Sequence, residues 1–167
     1  MPMPKTPLRS QDWEHRLHVL SAWRKWGKIS GCSEEDGATY RAVLDGCAVT
    51  IRALCYTLGI GCNFRNFSVS VSKDRLVALQ ESCNVGRDRL DLLEPEKKRC
   101  LLEVLYLGNR AVAHPQDGDL DHAVGRTEMT MAIDTVIGMI NGRRDEFPEI
   151  DGVQKTFLKL TTLSGRG

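Results

Sequence analysis

Between residues 40 and 58 the apolar side chains fall at Tyr40, Val43, Leu44, Cys47, Ile51, Leu54, Cys55 and Leu58. That three- and four-residue spacing sets all of them on one face of an α-helix. Arg41, Asp45 and Arg52 fall on the opposite face. An apolar stripe about five turns long is too extended for a strand and must be covered by other elements, so it commits the chain to a helix packed among helices. The ends agree. Ser33 stands where an N-cap belongs, Glu34, Glu35 and Asp36 suit the positive end of a helix, and Gly59 is placed to stop it. The spacing predicts a helix over about 34–58.

Other stretches carry the same period. Trp13, Leu17, Leu20 and Trp23 predict a first helix that stops at Gly27, after a proline-rich leader over residues 1–10. Leu76 and Leu79 suggest a short helix over about 73–83, and "RLDLL" a further turn before Pro95, which suits the first position of a helix. From Cys100 to Leu107 the chain is apolar on nearly every side, with Glu103 the one charge, so a helix over about 96–113 should be buried. Pro115 forces it to end near His114. Val124, Met131, Ile133, Val136, Ile137 and Ile140 predict a helix over about 120–141 that ends at Gly142. Val153, Phe157 and Leu160 suggest one more. "NFSVSVS" alternates as a strand does but has no strand partner, and reads as an ordered loop. The expectation is an all-α, single-domain bundle of five or six helices over residues 11–163.

At 167 residues the chain is long enough to bury a core without staples. Its 23 basic and 22 acidic residues leave a net charge of +1, so no overall field draws it to nucleic acid or to an anionic membrane. The excess of cations is local, in Lys5, Arg9, Arg16, Arg24, Lys25 and Lys28. The six cysteines form no Cys-x-x-Cys pair and no zinc-type spacing with histidine, and Cys47 and Cys55 lie on an apolar face. A reducing, cytoplasmic setting follows, with no metal or other cofactor expected. No apolar run approaches the roughly 20 residues of a membrane span.

One stretch departs from helix-packing pattern: "LGNRAVAHPQDGDLD", residues 107–121, follows the most apolar helix with Asn109, Arg110, His114 and three aspartates. If regular helix persists to its last turn, Arg110 and His114 project from one face. A guanidinium can hold a phosphate by two parallel hydrogen bonds, and an imidazole can move a proton near neutral pH, so the pair suits a phosphodiester. In the competing structural account, Asn109 and Arg110 are the polar side of a helix leaving the core, and His114 meets the terminal carbonyls.

The run "LYLGNRAVAHPQDGDLDHAV", an apolar helix, then Asn-Arg-x-x-x-His, a polar turn and a new amphipathic helix, resembles the motif region of HEPN domains, all-helical bundles that include many RNases. The likeness covers residues 95–140. Two details differ from the family pattern: fewer residues separate Arg110 from His114, and Asn109 precedes the arginine where the family has a polar residue after it. The resemblance implies a domain of a bacterial defence or toxin-type system that cleaves RNA without metal. It further implies that Arg110 and His114 act across a homodimer interface with Asn109 assisting. Some members only bind nucleic acid or serve as helical scaffolds, and a non-catalytic, homodimeric interaction module is the alternative.

Two further patterns carry chemistry. Asp117, Asp119, Asp121 and Glu128 occupy the first, third, fifth and twelfth positions of a calcium loop, although His122 stands where the template needs glycine. The competing account has the aspartates capping the next helix. Trp13, Trp23 and Trp26 interleave with Arg16, Arg24, Lys25 and Lys28, a combination able to stack bases and neutralise phosphates. Trp13 and Trp23 are expected in the apolar stripe, and Trp26 at the surface.

Overall fold

The structure, a computed structural model, describes residues 9–26, 33–60, 90–111, 124–148 and 150, with the backbone alone for Ser10, Arg110 and Ala111. The described residues are helical and include no strand: α1 (Ser10–Trp26), α2 (Glu34–Thr57), α3 (Pro95–Tyr106) and α4 (Arg126–Gly142), with a π-helical turn at Leu107–Ala111 after α3 and a 3-10 turn at Arg144–Glu146 after α4. The expected helix at 73–83, the 67–71 alternation and the helix after residue 150 lie outside the described residues.

α2 is the hub, in contact with α1, α3, the π turn and α4, while α3 packs on α4. Its own residues explain this. Leu44, Cys47, Ala48, Ile51, Leu54 and Cys55 are buried in line with the stripe. The Ser33 hydroxyl accepts from the Asp36 N–H at 3.1 Å, so the N-cap is formed by the residue expected. At the other end Gly59 takes φ 89°, the left-handed conformation that lets the Ile60 N–H reach the Cys55 carbonyl at 2.8 Å and the Gly59 N–H reach that of Tyr56 at 3.1 Å. These two bonds close the helix and bury Ile60 against the core. Arg143 adds a third cap by donating from Nη1 to the Leu58 carbonyl at 2.6 Å.

α1 lies on α2 through Trp13, Leu17, Leu20 and Trp23, all buried. Val19 approaches Gly46, where a Cβ would stand 3.8 Å from Val19 Cγ1, and the Cys47 thiol lies 3.6 Å from the Val19 carbonyl. The two tryptophans do more than fill space. Trp13 stacks at a tilt on Phe147 with centroids 5.4 Å apart, and Trp23 on Tyr40 at 5.7 Å. The Trp23 indole N–H donates to Thr130 Oγ1 at 2.9 Å, which joins α1 to α4.

α4 departs from expectation at its start and in its facing. Val124 and Gly125 are not helical, and the helix begins at Arg126. Glu128 Oε2 accepts the Gly125 N–H at 2.9 Å, half of a capping box whose other half a glycine cannot supply. The start therefore sits after Gly125, downstream of the aspartates. The core face is Met129, Ala132, Ile133, Val136, Ile137 and Ile140. Met131 does not belong to that face. It is two residues from Met129, about 200° around the helix, and it lines an open groove.

Candidate functional site

Pro95 occupies the first position of α3, where a missing N–H costs nothing. Every residue from Cys100 to Gly108 is buried, and Glu103 is 6% exposed. α3 changes geometry where the polar stretch begins. The Leu107 N–H still reaches back to the Glu103 carbonyl, and from Leu107 to Ala111 the chain follows the wider π pattern. Such turns carry an extra residue in the helix and occur often at functional sites.

Gly108 shows what holds this turn. A Cβ built there would lie 2.6 Å from the Ala48 carbonyl oxygen, 2.9 Å from its carbon and 3.3 Å from the Val49 nitrogen. The atoms in the way are backbone of a buried helix and cannot swing aside. The turn therefore rests directly on the backbone of α2, and only glycine allows it. The next residue, Asn109, is half-buried. Asn109 thus follows directly on a helix-to-helix contact.

The structure positions the sequence-selected residues unevenly. Asn109 and the backbone of Arg110 lie in the π turn. His114, Asp117, Asp119 and Asp121 lie outside the described residues. The four-residue spacing that sets Arg110 and His114 on one face belongs to regular α geometry, and that geometry ends at Tyr106. Glu128, the proposed twelfth position of a calcium loop, has Oε2 on the Gly125 N–H and Oε1 3.6 Å from Arg99 Nη2. A bidentate calcium ligand would have to give up both contacts. Among the described residues no group of three or more His, Cys, Asp or Glu is placed to hold a metal ion.

Around Arg99 the charges form a surface network. The Arg99 guanidinium donates to Glu96 at 2.6 and 3.1 Å, and this hydrogen bonding holds the Glu96 carboxyl below its ordinary range. On α1, Trp13 and Trp23 are core residues, as their spacing predicted. Trp26 is half-buried with the Lys25 ammonium 5.0 Å from its ring centroid. Arg24 and Lys25 are exposed. His15 and His18 are exposed as well, and His18 lies 3.7 Å from Glu14.

Cys47, Cys55 and Cys100 are free thiols and buried. Burial pushes the Cys47 thiol up to about 12, so it stays protonated and does not act as a nucleophile. The sign of the linkage follows. In the unfolded chain the thiol ionises near its ordinary value of about 9, and in the folded chain it keeps its proton. The contribution of Cys47 is then complete below pH 9 and lost as pH rises from 9 toward 12, by about 1.4 kcal/mol per pH unit. The stability difference between the wild type and Cys47→Ala, from urea unfolding at pH 8 and pH 10, should shrink by roughly that amount. A difference that stays constant would contradict the assignment.

Comparison with protein-family models, with curated proteins and with solved structures gave no match. No described helix is long and apolar enough to cross a membrane.

Proposed function

We propose that this protein is a HEPN-like domain of a bacterial defence or toxin-type system that acts on RNA without a metal, in the cytoplasm and as a homodimer, through Asn109, Arg110 and His114. The observation that carries this reading is the coincidence of the polar stretch with the π turn. A buried helix leaves regular geometry at Leu107, is seated on α2 by Gly108, and continues through the half-buried Asn109 and the backbone of Arg110. Rigid support directly under a short polar segment is what positioning a phosphodiester requires.

The chemistry asks three things of these residues. The Arg110 guanidinium, always charged, would hold the phosphate and offset the charge that grows on it during attack by the neighbouring ribose hydroxyl. His114 would take the hydroxyl proton or return one to the leaving oxygen. The Asn109 amide would orient the phosphate. A second reading, a non-catalytic homodimeric interaction module, is favoured by a separate observation: an open groove along α4 with Leu93, Met131 and Met139 among its walls.

Incubation of mixed-sequence RNA with the full chain in EDTA tests the first reading. Cleavage by the wild type, lost in a His114→Ala variant whose circular dichroism is unchanged, is the expected result. An inert wild type of intact helicity that also fails to retain RNA in a filter assay would overturn it and leave the interaction module.

A further inference from the structure

We infer that Arg52 is a second phosphate-binding residue of the proposed RNA site. It holds the phosphate next to the one assigned to Arg110, so the ligand is a single RNA strand engaged over neighbouring phosphates. The inference rests on the reading above, that the π turn meets RNA, and adds to it a residue from another helix.

Arg52 belongs to the part of α2 that carries the π turn. A Cβ at Gly108 would stand 2.6 Å from the Ala48 carbonyl oxygen and 3.3 Å from the Val49 nitrogen. In the regular geometry of α2 that same carbonyl is the acceptor for the Arg52 N–H, four residues on. The π turn therefore rests on the peptide group to which the Arg52 backbone is bonded, about one helical turn away. Arg41, Asp45, Ala48 and Arg52 are spaced by four, three and four residues and so share one face of α2. Ala48 is where this charged face borders the buried stripe. Asn109 and Arg110 follow directly on that border.

The charges on this face are not equivalent. Arg41 Nε lies 3.1 Å from Asp45 Oδ1, so that pair neutralises itself. Arg52 has no hydrogen-bond or ion-pair partner among the described residues. A solvated arginine on a helix is ordinary. Arg52 is instead half-buried, one turn from a backbone contact that no side chain can relax. A guanidinium partly withdrawn from water and short of an acceptor favours an anion, and its planar fork matches two phosphate oxygens. RNA presents such phosphates in series, so a strand held at Arg110 brings the next one past the flank of the turn. The phosphate at Arg52 is not the one cleaved, which makes Arg52 a positioning residue.

Fluorescence anisotropy of a labelled, short mixed-sequence RNA, 2′-O-methylated so that it binds without being cut, gives the affinity of the full chain in EDTA. Measured over about 50–200 mM NaCl it also gives the salt slope, which counts phosphate contacts. The variants are Arg52→Gln, Arg52→Lys and Lys97→Gln. Glutamine keeps the helix propensity and much of the stem, and lysine keeps the charge without the fork. Lys97, exposed in the first turn of α3 and about 18 Å along the helix from Asn109, controls for loss of any positive charge. Arg52→Gln should bind about 10-fold more weakly, with the slope reduced by about 0.7, the share of one contact on a single strand. Arg52→Lys should keep the slope and lose part of the affinity, whereas Lys97→Gln should match the wild type. An Arg52→Gln variant with wild-type affinity and slope would overturn the assignment and leave RNA at the π turn. Equal losses in Lys97→Gln would overturn it as well, by reducing it to general charge. A wild type that binds no RNA would overturn the site and Arg52 together.

Discussion

Trp23→Ala is expected to destabilise the protein by about 3–5 kcal/mol, a large part of what a domain of this size has to lose. The reason is that Trp23 does three things at once. Its ring is 3% exposed within the core, it packs at a tilt on Tyr40, and its indole N–H donates to Thr130. Alanine leaves a cavity between α1 and α2 and an unpaired hydroxyl on α4. Trp23→Phe separates these effects, since it keeps most of the ring contact and removes only the donor. It should cost about 1–2 kcal/mol, the range for one partly buried hydrogen bond with some lost volume. Urea unfolding followed by circular dichroism measures both. Equal losses in the two variants would mean that the hydrogen bond, not packing, holds α1 to α4.

The second large effect is at Gly108. Adding one methyl there should cost about 2–3 kcal/mol, the upper part of the range for overpacking, because the Ala48 carbonyl it meets is backbone with no rotamer to change. Gly138→Ala is the internal comparison. Gly138 is exposed in the middle of α4 with open space around its Cβ, so the same methyl should stabilise by about 0.5–1 kcal/mol through helix propensity. Opposite signs from one chemical change at two glycines would locate the tight helix contact at the π turn. Destabilisation by Gly138→Ala, or none by Gly108→Ala, would contradict that packing.

Much of the scaffold is legible in the sequence, and the reason lies in particular residues. The α2 stripe, its Ser33 cap and its Gly59 stop are local signals that agree with each other, and the helix runs Glu34–Thr57 as they indicate. Trp13 and Trp23 fall at helical spacing and are buried. The errors come from positions where a distant element decides. The expected helix over 96–113 is regular only to Tyr106, because the following turn is fitted to the backbone of α2, a contact that no local pattern encodes. The one available hint was Gly108 itself, a costly residue in an otherwise strongly apolar helix.

On α4 two positions of the sequence carry signals that compete with each other. Gly125-x-x-Glu128 has the spacing by which a glutamate reaches back to a helix start, and it competes with the calcium-loop reading for the same carboxylate. Apolarity alone assigns Met131 to the core. Its angle from Met129, Ile133 and Val136 sets it on the groove instead. The geometry of the candidate stretch is not legible in the sequence, since π winding changes which residues share a face.

Amide chemical shifts of the ¹⁵N-labelled full chain report whether the residues proposed to act on RNA, in and after the π turn, meet it. A short mixed-sequence RNA carrying 2′-O-methyl groups, which block cleavage, would be titrated in EDTA. Shifts that saturate and concentrate at Gly108, Asn109, Arg110 and His114 are expected, with weaker changes at Val49, whose backbone nitrogen faces Gly108. Shifts confined to Trp26 and the basic end of α1, or none at all, would contradict it.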